Sequence, residues 1–503
     1  MVAHGPALWY VLACLRAAPC APAPPRACED HVPAQSPQHL TLELPPDVAF
    51  LPTAVAAAEN AAQVFGLDQT GALKLSLAVE EFFAYLCRFA GREEPLRLTF
   101  RQGGTFTRMS LRFRAGEVSL RALNFAASVS LEPNGDACAQ DAELGLLVAS
   151  RTTDRCSMES SGAGVYVLVA EVDRQYPEAE PLRVAPTLTA PLNLSAPDQA
   201  QAGRTGQEHA SPAEGPLRHA ALLAAGLYPT RSCPASFFRP ARFVDMVATG
   251  QYQALLTTDA AGRPAGLLCW RAAGPRAVVF SGPYVFDASP GRALAKESAR
   301  LLIERFLSTV ARTEAVCAFS ERPTTDVPEG WFESLGSLTL HSGADDAPGE
   351  QEALFRHLRE DVGGAVWAHP DLAPFLARQY NLLAFSRDIL TAEPTSPKRL
   401  AAHSLLATSY DRRRGLALLK PLLDGQDFEA NLAAHVAALL EQTTENLTDK
   451  AQSPDILLHL DLSEPWQAAQ YPALAACGFK PRLILPHAGA SDLLVCQYVA
   501  AAC

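Results

Sequence analysis

The 503-residue sequence is short of cations, and shortest of lysine: 42 Lys and Arg stand against 54 Asp and Glu, and only six of the 42 are lysine. The net charge is −12 and no extended basic stretch offers phosphates a continuous footprint, which excludes nucleic-acid binding as the main task. Cysteine is sparse, twelve in all, with no CxxC pair. That pattern disfavours both a structural zinc site and a disulfide scaffold. Long apolar runs are missing too. The longest, Pro6 to Leu15, is about half of the roughly 20 residues a membrane span needs. No GxSxG, HExxH, P-loop or dinucleotide glycine fingerprint occurs.

What is present is a globular composition, 48% hydrophobic and 19% charged, with length for roughly three domains. The run Pro6–Leu15 has two readings, a poor export signal or an upstream extension. No Lys or Arg precedes it and no small-x-small cleavage site follows, and scattered free cysteines fit a reducing compartment. We therefore read residues 1–37 as a disordered or mis-assigned extension of a cytoplasmic protein.

Patterned sequence begins at Leu40-Thr-Leu-Glu-Leu44, whose alternation predicts a strand. A helix from Thr53 to Phe65 ends at Gly66, and a second runs from beyond Asp68 to Gly91 with the stripe Leu75, Val79, Phe82, Leu86. Strands are expected at Leu96–Arg101, Phe106–Arg114, Glu117–Leu123 and Val165–Ala170, with a helix at Ala142–Thr153. This predicts a two-layer α+β sandwich over residues 38–173. Residues 174–216 are Pro-, Ala-, Gln- and Ser-rich without periodicity and read as a flexible linker. Beyond it, alternating strands and helices predict one α/β unit over 217–350 and another over 351–503. The second contains helices at Pro370–Arg387 and Phe428–Leu447 and a hairpin flanking Asp411-Arg-Arg-Arg-Gly415.

Two constellations carry chemistry. The first is Leu77-Ala-Val-Glu-Glu-Phe-Phe-Ala-Tyr85, in which helical spacing puts Glu81 and Tyr85 on one face. With the preceding strand and short helix, and with Gly145-Leu-Leu-Val-Ala-Ser-Arg and Ser161-Gly-Ala-Gly downstream, it resembles the ATP-binding domain of bacterial anti-sigma factor kinases, within the histidine kinase and Hsp90-type ATPase superfamily. The resemblance implies a general base at Glu81, a magnesium ligand at the position of Tyr85, a phosphate lid retaining Gly145, and ATP with Mg as cofactor. A phenol behind a bulky ring is a poor ligand for a hard cation. The adenine-reading stretch corresponds to Leu120-Arg-Ala-Leu-Asn-Phe125, without the family's Asp and Gly. The expectation is a pseudo-ATPase that binds a protein partner, a sigma factor or antagonist.

The second is the strand Val278–Tyr284, the turn Val285-Phe-Asp-Ala-Ser-Pro-Gly-Arg-Ala-Leu-Ala295 and the long helix after it. It resembles the cofactor segment of GNAT-type N-acetyltransferases, where backbone N–H groups at a helix N-terminus hold the CoA pyrophosphate. Leu474–Pro481 followed by Leu485–Tyr498 resembles the last helix-to-strand step of the same family, which implies a GNAT-like α/β region, in tandem over 217–350 and 351–503. The resemblance implies acetyl-CoA at Gly291, Ala293 and Ala295, although Pro290 supplies neither a cation nor an N–H there. A literal R-x-x-G-x-A at Arg412–Ala417 is followed by too short a run for the helix such a site requires, and reads as a solvated hairpin turn. Asp345, Asp346, Glu350 and Glu352 read as a solvated acidic loop, and Cys156, Cys269 and Cys317 as small core residues. The functional expectation is a bacterial regulatory protein that acts by binding. An acyltransferase regulated by its N-terminal domain and a ligand-free interaction scaffold are the alternatives.

Overall fold

The computed structural model describes residues 39–89, 94–114, 121–124, 137–160, 165–197, 214–289, 291–341, 349–396, 400–411, 413–444 and 454–500. The N-terminal part is a five-stranded antiparallel sheet: β1 (His39–Leu44), β2 (Leu96–Gln102), β3 (Phe106–Arg114), β4 (Arg155–Ser160) and β5 (Val165–Asp173), in the order β1-β2-β3-β5-β4. Alternation sends Leu98, Phe100, Met109, Leu111, Leu168 and Ala170 to one face. There they meet the helices α1 (Leu51–Val64), α2 (Gln69–Phe89) and α3 (Ala137–Thr152). α2 starts where the Asp68 carboxylate accepts the Gly71 N–H at 2.7 Å, and all four residues of its expected stripe are buried. The expected strand at 117–123 differs: 115–120 lie outside the described residues, and Arg121–Leu123 form a single 3-10 turn.

The stretch from Arg174 to Pro197 is held by its backbone. Ala179 N–H donates to Phe238 O at 3.1 Å, Leu182 N–H to Leu222 O at 3.0 Å, and the buried Asp259 carboxylate accepts from Thr189. Three of its residues form β6 (Asn193–Ser195). Gly226 in α4 (Glu214–Leu227), the helix before α5 (Pro240–Ala248), lies so near Leu182 that a methyl group there would collide with the Leu182 carbonyl. These bonds need no hydrophobic period, so composition alone reads the stretch as a linker.

Residues 193–500 contain the same arrangement twice. The first sheet holds β6, β7 (Gln253–Thr258), β8 (Pro264–Gly274), β9 (Ala277–Val285), β10 (Cys317–Ser320), β11 (Glu333–Leu340) and β12 (Gly349–His357), in the order β11-β12-β10-β9-β8-β7-β6. The second holds β15 (Leu405–Asp411), β16 (Leu416–Leu423), β17 (Asp455–Asp461), β18 (Phe479–Leu485) and β19 (Leu493–Tyr498), in the order β15-β16-β17-β19-β18. In each, an antiparallel hairpin is followed by a crossover helix, α6 (Ala293–Val310) or α8 (Phe428–Thr444). The next strand then runs parallel to the hairpin's second strand, and a final hairpin pairs back through its last strand. β12 carries Glu350 and Glu352, so the first sheet continues to His357, past the position where the acidic run points to a boundary. Between the copies, β13 (Ala365–Ala368), α7 (Ala373–Leu382) and β14 (Asp388–Thr391) form a small parallel unit.

The two copies share a core in which Leu335, Leu338 and Leu340 of β11 join Leu483, Ile484 and Leu485 of β18. The buried Gln497 amide fixes the register, accepting from Thr339 N–H at 3.1 Å and donating to the same residue's carbonyl. Cys269 and Cys317 are buried and Cys156 is half-buried. Burial pushes the Cys156 and Cys317 thiols up to about 12, as expected of packing residues rather than nucleophiles.

Candidate functional site

α2 brings Glu81 half-buried to the helix surface, where burial and then Glu80 raise its carboxyl pKa and Arg88 opposes them. Gly145 of α3 lies directly against it, so close that a methyl group at 145 would collide with Glu81 Oε2. The structure thus joins Glu81 and Gly145 through helix packing. Tyr85 is 3% exposed, in the core beneath α2. Its ring stands where the resemblance implies a magnesium ligand. Among the described residues no three His, Cys, Asp or Glu side chains gather closely enough to hold a metal ion.

Of the adenine-reading stretch, Arg121 to Asn124 are described, and Asn124 is engaged elsewhere. Its buried amide donates to Ser404 O at 2.9 Å and accepts from Leu406 N–H at 2.9 Å, mimicking a neighbouring strand along β15. The N-terminal sandwich is thereby fastened to the second copy, with Leu405, Leu422 and Leu423 joining its core. Leucine at Asn124 leaves the buried Leu406 N–H unpaired, and the expected destabilisation is about 1–3 kcal/mol. Calorimetric unfolding should show a lower midpoint for N124L, with the transition splitting in two.

The turn from β9 into α6 places Gly291 at φ 81° with open space around it, and Ala293 exposed at the start of the helix. Ala295 points inward against Val285 and Ala299. The turn's own carboxylate, Asp287, is 7% exposed and accepts the Ser289 N–H at 2.9 Å, while its second oxygen is buried without a partner among the described residues. In the second copy, Gly425 N–H is taken by Asp424 at 3.0 Å, Gln426 N–H by Ala401 O at 3.0 Å, and Asp427 stands at the head of α8, bound to His403 and Ser404 N–H. Each turn thus carries a carboxylate close to the start of its helix.

A cavity of about 310 Å³ lies where β9 and β10 of the first copy approach β16 and β17 of the second. Five cations line it: Arg231 from a 3-10 turn, Arg271 from β8, Arg322 from the loop after β10, Arg414 from the β15–β16 turn, and Lys420 from β16. Arg414 reaches Asp411 at 3.4 Å and donates to Cys233 O. Arg322 donates to Arg231 O at 3.2 Å. Arg231, Arg271, Arg322 and Lys420 form no ion pair among the described residues, and Glu321 is the carboxylate in the lining. Arg231 Nε and Nε2 of the buried His459 have no hydrogen-bond partner among the described residues. Burial, with Arg414 adding, brings Arg322 down to about 10. Burial and then Arg271 lower Lys420, and burial with Lys420 drives His459 down to about 3.

Sequence reasoning did not find this site. Its residues come from separate segments, so no local spacing links them. The one local signal was the triple arginine 412–414, read as a solvated turn. A hairpin does stand there, with Arg413 over the Phe238 ring at 4.2 Å and paired with Glu178, but Arg414 turns inward.

No protein-family model matches the chain, and no curated protein matches it. Among solved structures, a type Ii aminoglycoside 6'-acetyltransferase aligns at 13% identity over 34% of this chain and 99% of its own, with a TM-score of 0.23. A putative acetyltransferase of Salmonella typhimurium with acetyl-CoA aligns at 14% over 34% and 96%, TM-score 0.24. A GNAT superfamily phosphinothricin acetyltransferase of Sinorhizobium meliloti aligns at 14% over 34% and 90%, TM-score 0.23.

Proposed function

We propose that this chain is a regulatory protein that works by binding, without turnover of ATP or acyl-CoA. The observation that carries the reading is that the chain's own groups occupy the cofactor positions. Asn124 spends its amide on β15, Tyr85 is buried under α2, and Asp287, Asp424 and Asp427 hold the turns that phosphates would need. A phosphate-binding helix terminus works through unpaired N–H donors and a favourable dipole, and a carboxylate beside it opposes the approach of an anion. In this reading the N-terminal sandwich is a protein-docking element fixed to the paired α/β copies, and a sigma factor or antagonist remains its proposed partner.

Incubating the full chain with magnesium-ATP, and separately with acetyl-CoA and a thiol reagent, tests the reading. Neither phosphate nor free CoA thiol should appear above the protein-free rate. Release that scales with protein concentration would overturn it.

A further inference from the structure

We infer that the cavity between the two copies is a binding site for a small polyanion, carrying about three negative charges as phosphates or carboxylates on a compact carbon or phosphoryl body. This deepens the reading of the chain as a binding protein by giving it a ligand class.

Net of Glu321 and Asp411, the five cations leave three positive charges around one half-open cavity. Arg231 and Arg322 are half-buried there without a carboxylate, and a cation withdrawn from water is normally paired, because desolvation penalises the charged form. Acidic residues are in excess in this chain, 54 against 42, so their scarcity here is not a shortage of carboxylates. Hydrogen bonding is unmet as well: Arg231 Nε and His459 Nε2 are buried around the same space with no hydrogen-bond partner among the described residues. Arginine forks present paired N–H groups matched to the oxygens of carboxylate and phosphate.

A cavity of about 310 Å³ has room for a compact anion such as pyrophosphate or citrate. The rest of the wall, including Leu416, Leu418, Leu457 and Phe319, gives the uncharged part of the ligand apolar contact.

The site exists only because two copies face each other. Arg271 stands on the first sheet and Lys420 on the second, so an anion between them bridges the copies.

The test is calorimetric titration of the full chain at low salt with inorganic pyrophosphate and, separately, citrate. At least one should bind saturably at one site per chain in the micromolar range. R271Q and K420M should each weaken that binding tenfold or more. K420M should also leave the ligand-free melting temperature unchanged or higher, since it removes an unpaired cation; this separates loss of the site from loss of the fold. Binding of pyrophosphate alone assigns a phosphoryl ligand, and binding of citrate alone a polycarboxylate. Silence with both anions to millimolar concentration, or binding indifferent to both substitutions, would overturn the inference. Turnover of ATP or acetyl-CoA would sink the non-catalytic reading without altering this titration.

Discussion

Replacing Arg387 with methionine is expected to destabilise the protein by about 3–5 kcal/mol, because it strands two buried carboxylates. The Arg387 side chain is 2% exposed and sits between Asp361, 3% exposed, and Asp492, fully buried. Its Nε donates to Asp492 at 2.7 Å, and another guanidinium nitrogen donates to Asp361. The guanidinium also lies over the Phe385 ring at 5.1 Å and reaches His487 Nε2 at 3.2 Å. Burial pushes the Asp361 carboxyl up, but the Arg387 bond and charge outweigh it and hold the pKa below the ordinary value. The cluster ties the small parallel unit to the second copy through the residue just before β19. Urea unfolding of R387M measures the loss. The triple variant with Asp361→Asn and Asp492→Asn should recover part of it, because the remaining amides carry no charge. A loss below about 1 kcal/mol would show that the cluster is solvated and that its geometry contributes little.

Acid should destabilise the protein through His459 before its carboxylates titrate. The folded-state pKa is depressed to about 3 from an ordinary value of 6.5. Above pH 6.5 both folded and unfolded chains hold the ring neutral, and the group adds no pH dependence. As pH falls below 6.5 the unfolded chain takes up a proton that the folded chain refuses, so stability is lost progressively toward pH 3. At pH 5 the loss amounts to about 2 kcal/mol. His435, also lowered by burial, acts in the same direction. Melting temperatures of the native chain and H459Q between pH 7.5 and 5 check this, and the native chain should fall more steeply. Parallel curves would show that the ring is protonated within the fold.

Much of the N-terminal sandwich was legible because its period is strong. The stripe Leu75, Val79, Phe82, Leu86 and the alternation of Phe106–Arg114 each answer to one buried face. Elements that answer to backbone pairing were not legible. Arg174–Pro197 has no apolar rhythm to read, and the outer half of β12 carries Glu350 and Glu352 on its exposed side, so it looks like an acidic loop. The candidate site was least legible. Sequence reasoning placed chemistry at Glu81 and at the β9–α6 turn, whereas the unpaired charge gathers where residues 231 to 459 converge. An arginine in such a segment differs from a solvated one only in what the opposite sheet fails to supply.

The most direct test of a protein that binds without ATP chemistry is calorimetric titration of the full chain with magnesium-ATP, run in parallel on K420M and E81Q. The account predicts no saturable heat from the N-terminal sandwich up to millimolar nucleotide, so K420M, with its cavity weakened, should be silent. Saturable micromolar heat that survives in K420M and disappears in E81Q would contradict it, placing a working nucleotide site on α2.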